Sequence, residues 1–229
     1  MKDIFRILVS SILSGILIGL GGIAYIFCMG SFINGVIIGS FLFSIGLLLI
    51  ISYKLDLFTG KVCYFFKNNY KYKIFLIVIL LGNLIGAIGI GYLARLTKND
   101  LLISKALNIV NYKLSIGLLT ALIMSFFCGI MIFLAVDTAK RSSNQFFKSL
   151  IVVMCIMIFV LSGFDHSIAN TFYYSLANVW SLNTIFYLLV IIGGNSLGGI
   201  FLPSLFSIID KLSKWLNWEE GVKNVINYR

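Results

Sequence analysis

The chain is poor in charge, in histidine and in proline. Only 11% of its 229 residues are charged, against about 25% in an ordinary soluble domain, while 60% are hydrophobic. With a mean hydropathy of +1.03, this excludes a soluble globular fold and leaves an integral membrane protein. There is one histidine, His166, and there are eight acidic residues scattered along the sequence. That inventory has no material for a clustered acid–base centre or a metal site, so no catalytic residue, metal or cofactor is expected. The four cysteines (Cys28, Cys63, Cys128, Cys155) contain no CxxC pair and read as thiols packed between helices. The apolar runs also lack the period-two alternation of an outer-membrane barrel.

What is abundant is uninterrupted apolar sequence. Runs at about 7–29, 33–53, 74–96, 114–136, 147–176 and 184–209 each suffice for a spanning helix of about 20 residues. The first is too long for a cleaved leader and reads as a retained span. The tail 210–229, with Trp215 and Trp218 among lysines, reads as an amphipathic interfacial segment. With six spans both termini share a side, and Lys and Arg divide fourteen against four in favour of that side. The bias predicts cytoplasmic N and C termini. The net charge of +10 then expresses topology, and no nucleic-acid partner is expected.

The chain is organised around Val160–Asn170, a polar break holding Asp165 and His166 between two charge-free apolar runs. An ionisable group at such a depth is costly in lipid and marks a functional site unless it only packs. A comparable break, Asp56–Lys61, interrupts the second span. Each half of the chain has three spans, and the third span of each carries Gly-Asn-x-x-Gly, at Gly82–Gly86 and Gly194–Gly198. The two asparagines are 112 residues apart, and Thr59 and His166 are 107 apart. The reading is an all-α membrane protein of six transmembrane helices in two inverted three-helix repeats with broken second and fifth helices. It forms a single transmembrane domain over 1–229, with repeat 1 at about 5–98 and repeat 2 at about 111–209. Matched breaks in inverted repeats point to a substrate path at the midplane, hence a channel or transporter. Asn83 and Asn195 are expected to bond backbone at helix crossings.

These residues carry a resemblance. Leu57-Phe58-Thr59-Gly60, Phe159-Val160-Leu161-Ser162-Gly163-Phe164, His166-Ser167-x-Ala169-Asn170 and the two Gly-Asn-x-x-Gly motifs together resemble the formate/nitrite transporter family over nearly the whole chain. That family comprises pentameric channels for small monovalent anions with an aquaporin-like protomer, in the bacterial inner membrane. The resemblance implies a homopentamer in the lipid bilayer conducting hydrosulfide, formate or nitrite. It places the central histidine at His166, the loop threonine at Thr59, and the family's lysine and asparagine at Lys148 and Asn170. It places apolar constrictions at Leu47 and Phe58 on the cytoplasmic side, and at Phe43 and Phe159 on the other. Asp56 and Asp165 stand where many members have glutamate, and the last span lacks a proline before its Gly-Asn motif.

The chemistry such a path requires follows from solvation. An anion stripped of water between phenylalanine and leucine side chains faces a penalty of several kcal/mol. Lys148 and exposed amides at the broken-helix starts are candidate compensating charges. His166 can donate a hydrogen bond or pass a proton, and Thr59 can bond both the anion and the histidine. A water or glycerol channel is disfavoured because no Asn-Pro occurs anywhere in the chain. The alternative is a proton-coupled symporter on the same fold, distinguished by whether transport moves charge.

Overall fold

The computed structural model describes residues 2–226, with side chains placed for residues 3–215. Every regular element among them is helical. The order is α1 (Lys2–Ser31), α2 (Gly35–Ser52), α3 (Phe58–Lys61), a 3-10 turn (Val62–Lys67), α4 (Tyr70–Leu96), α5 (Asp100–Ser115), α6 (Leu118–Arg141), α7 (Gln145–Leu161), α8 (Ser167–Ala177) and α9 (Leu182–Ile226). Five helices (α1, α2, α4, α6 and α9) are by themselves long and apolar enough to cross a bilayer. The sixth crossing is α7, whose 17 residues span about 25 Å at 1.5 Å per residue.

Two three-helix units pack in the same way. Gly-x-x-x-Gly faces bring backbones together, as small residues do in lipid. A Cβ on Gly15 would lie 2.2 Å from the Asn83 carbonyl oxygen, and one on Gly129 would lie 2.3 Å from that of Asn195. The α1–α4 crossing is thereby repeated as the α6–α9 crossing. Both interrupted helices also end alike: Leu55 N–H donates to Ile50 C=O, and Phe164 N–H donates to Phe159 C=O. The residue before each donor is left-handed, Lys54 at φ 55° and Gly163 at φ 70°. Such a terminus satisfies carbonyls that the helix leaves open.

The short helices α3 and α8 then run in opposite directions, and α4 serves as the ruler. Near its start, the Tyr72 hydroxyl donates to Lys61 C=O at the end of α3. Near its end, Arg95 donates to Leu176 C=O at the end of α8. Their first residues meet in the middle of the molecule. All eleven residues of α8 are buried.

Two expectations change. The stretch before α6 is a helix, α5, whose buried Leu102, Ala106 and Val110 form one stripe at four-residue spacing. Its cap was legible, since the Asn99 side chain accepts from Leu102 N–H. Position 111, expected to open the second repeat, therefore lies inside α5. The expected separate tail also differs, because α9 continues unbroken from the last span through Ile226. Trp215 on it is 53% exposed, whereas Trp218 and the side chains beyond lie outside the described residues.

Candidate functional site

His166 is the N-cap of α8 and is 2% exposed; Thr59, on the second residue of α3, is fully buried. Their side chains meet, with His166 Nε2 2.9 Å from Thr59 Oγ1. The ring's other nitrogen, Nδ1, accepts from Ala169 N–H at 3.3 Å. A nitrogen that accepts carries no proton, so the neutral ring holds its proton on Nε2. Nε2–H therefore donates to Thr59 Oγ1, and the threonine keeps its own hydroxyl proton for a further acceptor.

An asparagine braces each side of this junction. Asn83 Oδ1 accepts from Phe58 N–H at 2.7 Å, while its Nδ2 donates to Ser11 C=O and Asp56 C=O. Asn195 Oδ1 accepts from Ser167 N–H at 2.8 Å, and its Nδ2 donates to Ser125 C=O and Asp165 C=O. Both side chains bond only backbone, as expected of the two Gly-Asn motifs. Most of the expected open amides are already bonded, and those of Thr59 and Ile168 are the exceptions. Among the first four of α8, those of Ser167, Ala169 and Asn170 already donate to Asn195, His166 Nδ1 and His166 C=O.

Apolar side chains flank the pair on both sides. Phe43 and Leu47, one turn apart on α2, share a face, and each is 2% exposed. Phe43 meets Phe159 edge to face at 5.8 Å between ring centres, and Phe159 lies 5.9 Å from the His166 ring. These three residues line a cavity of about 60 Å³ together with Tyr25, Lys113, Asn170 and Tyr173. On the other side, Leu47 and Leu57 border a cavity of about 390 Å³ that also contains Lys54, Lys61, Lys140 and Lys148.

Two of the expected site residues need a different description. Phe58 does not stand with Leu47; it packs among Ile7, Val62, Leu76 and Ile79. Leu57 takes the position beside Leu47, because an extended N-cap (φ −106°, ψ 125°) sends successive side chains to opposite sides. Lys148 is on the wall of the wide cavity rather than beside His166. Eleven residues of α7 separate it from Phe159, roughly 16 Å along the axis. The lysine near the histidine is Lys113, whose Nζ donates to Asp165 Oδ1 at 2.6 Å with a side chain only 12% exposed. Asn170 Nδ2 donates to the same carboxylate oxygen at 2.9 Å. Asp165 Oδ2 and Asn170 Oδ1 are buried there with no hydrogen-bond partner. No motif marked Lys113; the packing of α5 on α8 brings it there. A parallel ion pair, Lys61 to Asp56 at 3.0 Å, stands on the opposite side.

Comparison with known proteins follows the same outline. A family model described as formate/nitrite transporter matches residues 1–209. The formate channel BtFdhC of Bacillus thuringiensis is 30% identical over 154 residues, which are 62% of this chain and 58% of that protein. The chain thus matches less than two thirds of that relative's length. Among solved structures, a pentameric formate channel with formate bound aligns with a TM-score of 0.80 at 22% identity, over 92% of this chain and 98% of that one. An ion channel of the same family aligns at 0.78 and 24%, over 90% of each chain.

Proposed function

The chain belongs to the formate/nitrite transporter family, and we propose that it is a channel for small monovalent anions of weak acids, assembled as a homopentamer in the bacterial inner membrane. Formate, nitrite and hydrosulfide are the substrate class, and the Lys and Arg bias favours cytoplasmic termini. The observation that carries this reading is the His166–Thr59 bond at 2.9 Å, which joins the two interrupted helices between apolar side chains. Formate passage is supported by the curated relative, itself a formate channel.

The chemistry is one of partial resolvation. An anion leaving water loses hydration at Leu47 and Leu57 on one side, or at Phe43 and Phe159 on the other. Between them it exchanges the His166–Thr59 bond for donation from Nε2–H, from the threonine hydroxyl, or from both. The lysines of the wide cavity hold the potential positive at that approach, while Lys113 neutralises Asp165 at the other. The ring's geometry also limits proton transfer. Protonating Nδ1 would break the cap on Ala169 N–H, and Nε2–H holds the neutral ring's only proton, so His166 serves the anion as a hydrogen-bond donor and does not give that proton up. An anion that crosses the dry collar as the neutral acid takes its proton from water at the entrance.

Formate flux in proteoliposomes, recorded together with membrane potential, tests the reading. Saturable current carried by formate supports a channel. Electroneutral uptake that follows the pH gradient assigns the chain to the symporter alternative. Absence of flux for formate, nitrite and hydrosulfide alike refutes both.

A further inference from the structure

The wide cavity next to Leu47 carries more positive charge than one monovalent anion engages. Lys54, Lys61, Lys140 and Lys148 all border it. Its volume of about 390 Å³ is that of a small-molecule site rather than of a pore neck. Carboxylates compensate little of this charge. Asp56 pairs with Lys61, and Asp137 is taken by the Tyr64 hydroxyl and Arg141. Lys140 lies 3.9 Å over the Tyr64 ring. Among the described residues, Lys54 and Lys148 have no carboxylate within ion-pair distance. Like charges gathered in one cavity repel, and an anion of matching valence relieves that repulsion.

We propose that this cavity binds a multivalent oxyanion, phosphoryl or polycarboxylate, which blocks the path from that face because its charge forbids entry past Leu47 and Leu57. The desolvation cost of an ion rises with the square of its charge, so an apolar neck that passes a monovalent anion rejects a multivalent one. The ligand is held by lysine ammonium groups, each a point charge with three rotatable donors. The blocking half of this inference rests on the anion path proposed above, whereas the binding half does not.

The probe is inorganic pyrophosphate, titrated calorimetrically into the full-length purified channel at constant ionic strength, with chloride as the control. Formate flux in proteoliposomes is measured in parallel with pyrophosphate added to one face at a time. Saturable binding is expected to weaken about tenfold in Lys54→Gln/Lys148→Gln, with flux inhibited from one face only. Lys54→Gln alone, at an exposed side chain, carries the test if the double variant does not fold. Heat no greater than for chloride, or binding unchanged in the variants, overturns the site. Binding that leaves formate flux unchanged from both faces overturns the block. Formate flux without pyrophosphate binding refutes this proposal and leaves the channel standing. Lysine-dependent binding without any anion flux leaves the binding site standing and refutes the channel, and the block with it.

Discussion

Replacing Asn195 by alanine isolates the strut that sets the His166 loop. The side chain is fully buried and makes three bonds: from Ser167 N–H at 2.8 Å, to Ser125 C=O at 2.9 Å and to Asp165 C=O at 2.7 Å. At about 0.6–1 kcal/mol net for each, the bonds alone contribute roughly 2 to 3 kcal/mol. The truncation also leaves a buried amide and two carbonyls without their partner, which raises the expected loss to roughly 3 to 5 kcal/mol. Unfolding by SDS in mixed micelles, followed through Trp180, measures it. Asn83 makes the equivalent three bonds on the other side, so Asn83→Ala is expected to lose a similar amount. A loss below about 1 kcal/mol in either variant would refute the bracing role, because orphaned buried backbone groups cannot be that cheap.

Other perturbations separate neighbouring side chains. Leu57→Ala is expected to relax the collar beside Leu47 and admit acetate, read as acetate-to-formate flux. Phe58→Ala should instead lower stability by about 3 kcal/mol or more, because its ring fills a packed cluster. Lys113→Met leaves the Asp165 carboxylate buried with no cation and should cost about 3 to 5 kcal/mol. Adding Asp165→Asn should restore most of that in thermal melts, and no rescue would mean the pair is not the cause. His166→Asn keeps a side chain able to cap Ala169 N–H, so folding should persist. Its formate flux should fall and its selectivity among anions shift, because the Nε2–H donor between the constrictions is gone. Gly129→Ala pushes a Cβ to 2.3 Å from the Asn195 carbonyl oxygen and should part α6 from α9, lowering the melting temperature. Gly193→Ala meets nothing within 4 Å and should raise stability by about 0.5–1 kcal/mol.

Much of this protein was written in one dimension. Helix crossings in lipid are specified by long apolar runs and small residues, both local properties, so the six crossings and their two interruptions were readable in the chain. The matched Gly-Asn motifs were readable too, because one packing solution is used twice. The His166 break was conspicuous because ionisable groups in apolar sequence are rare.

Other features depended on direction and depth, which sequence spacing does not carry. Leu57 and Phe58 are adjacent and equally apolar, and only the extended cap decides which of them borders the cavity. Lys148 has a sequence position that suits a pore cation, yet the rise of α7 carries it into the outer cavity. Lys113 comes from a helix between the repeats and reaches Asp165 only because α5 lies against α8. Most of the amides expected to face an anion are already bonded, two of them by partners 28 and 3 residues away. Composition and periodicity therefore settled which segments enter the membrane and where they break. The tertiary structure decided which side chains meet there, because burial and charge pairing act across distances that the order of residues does not encode.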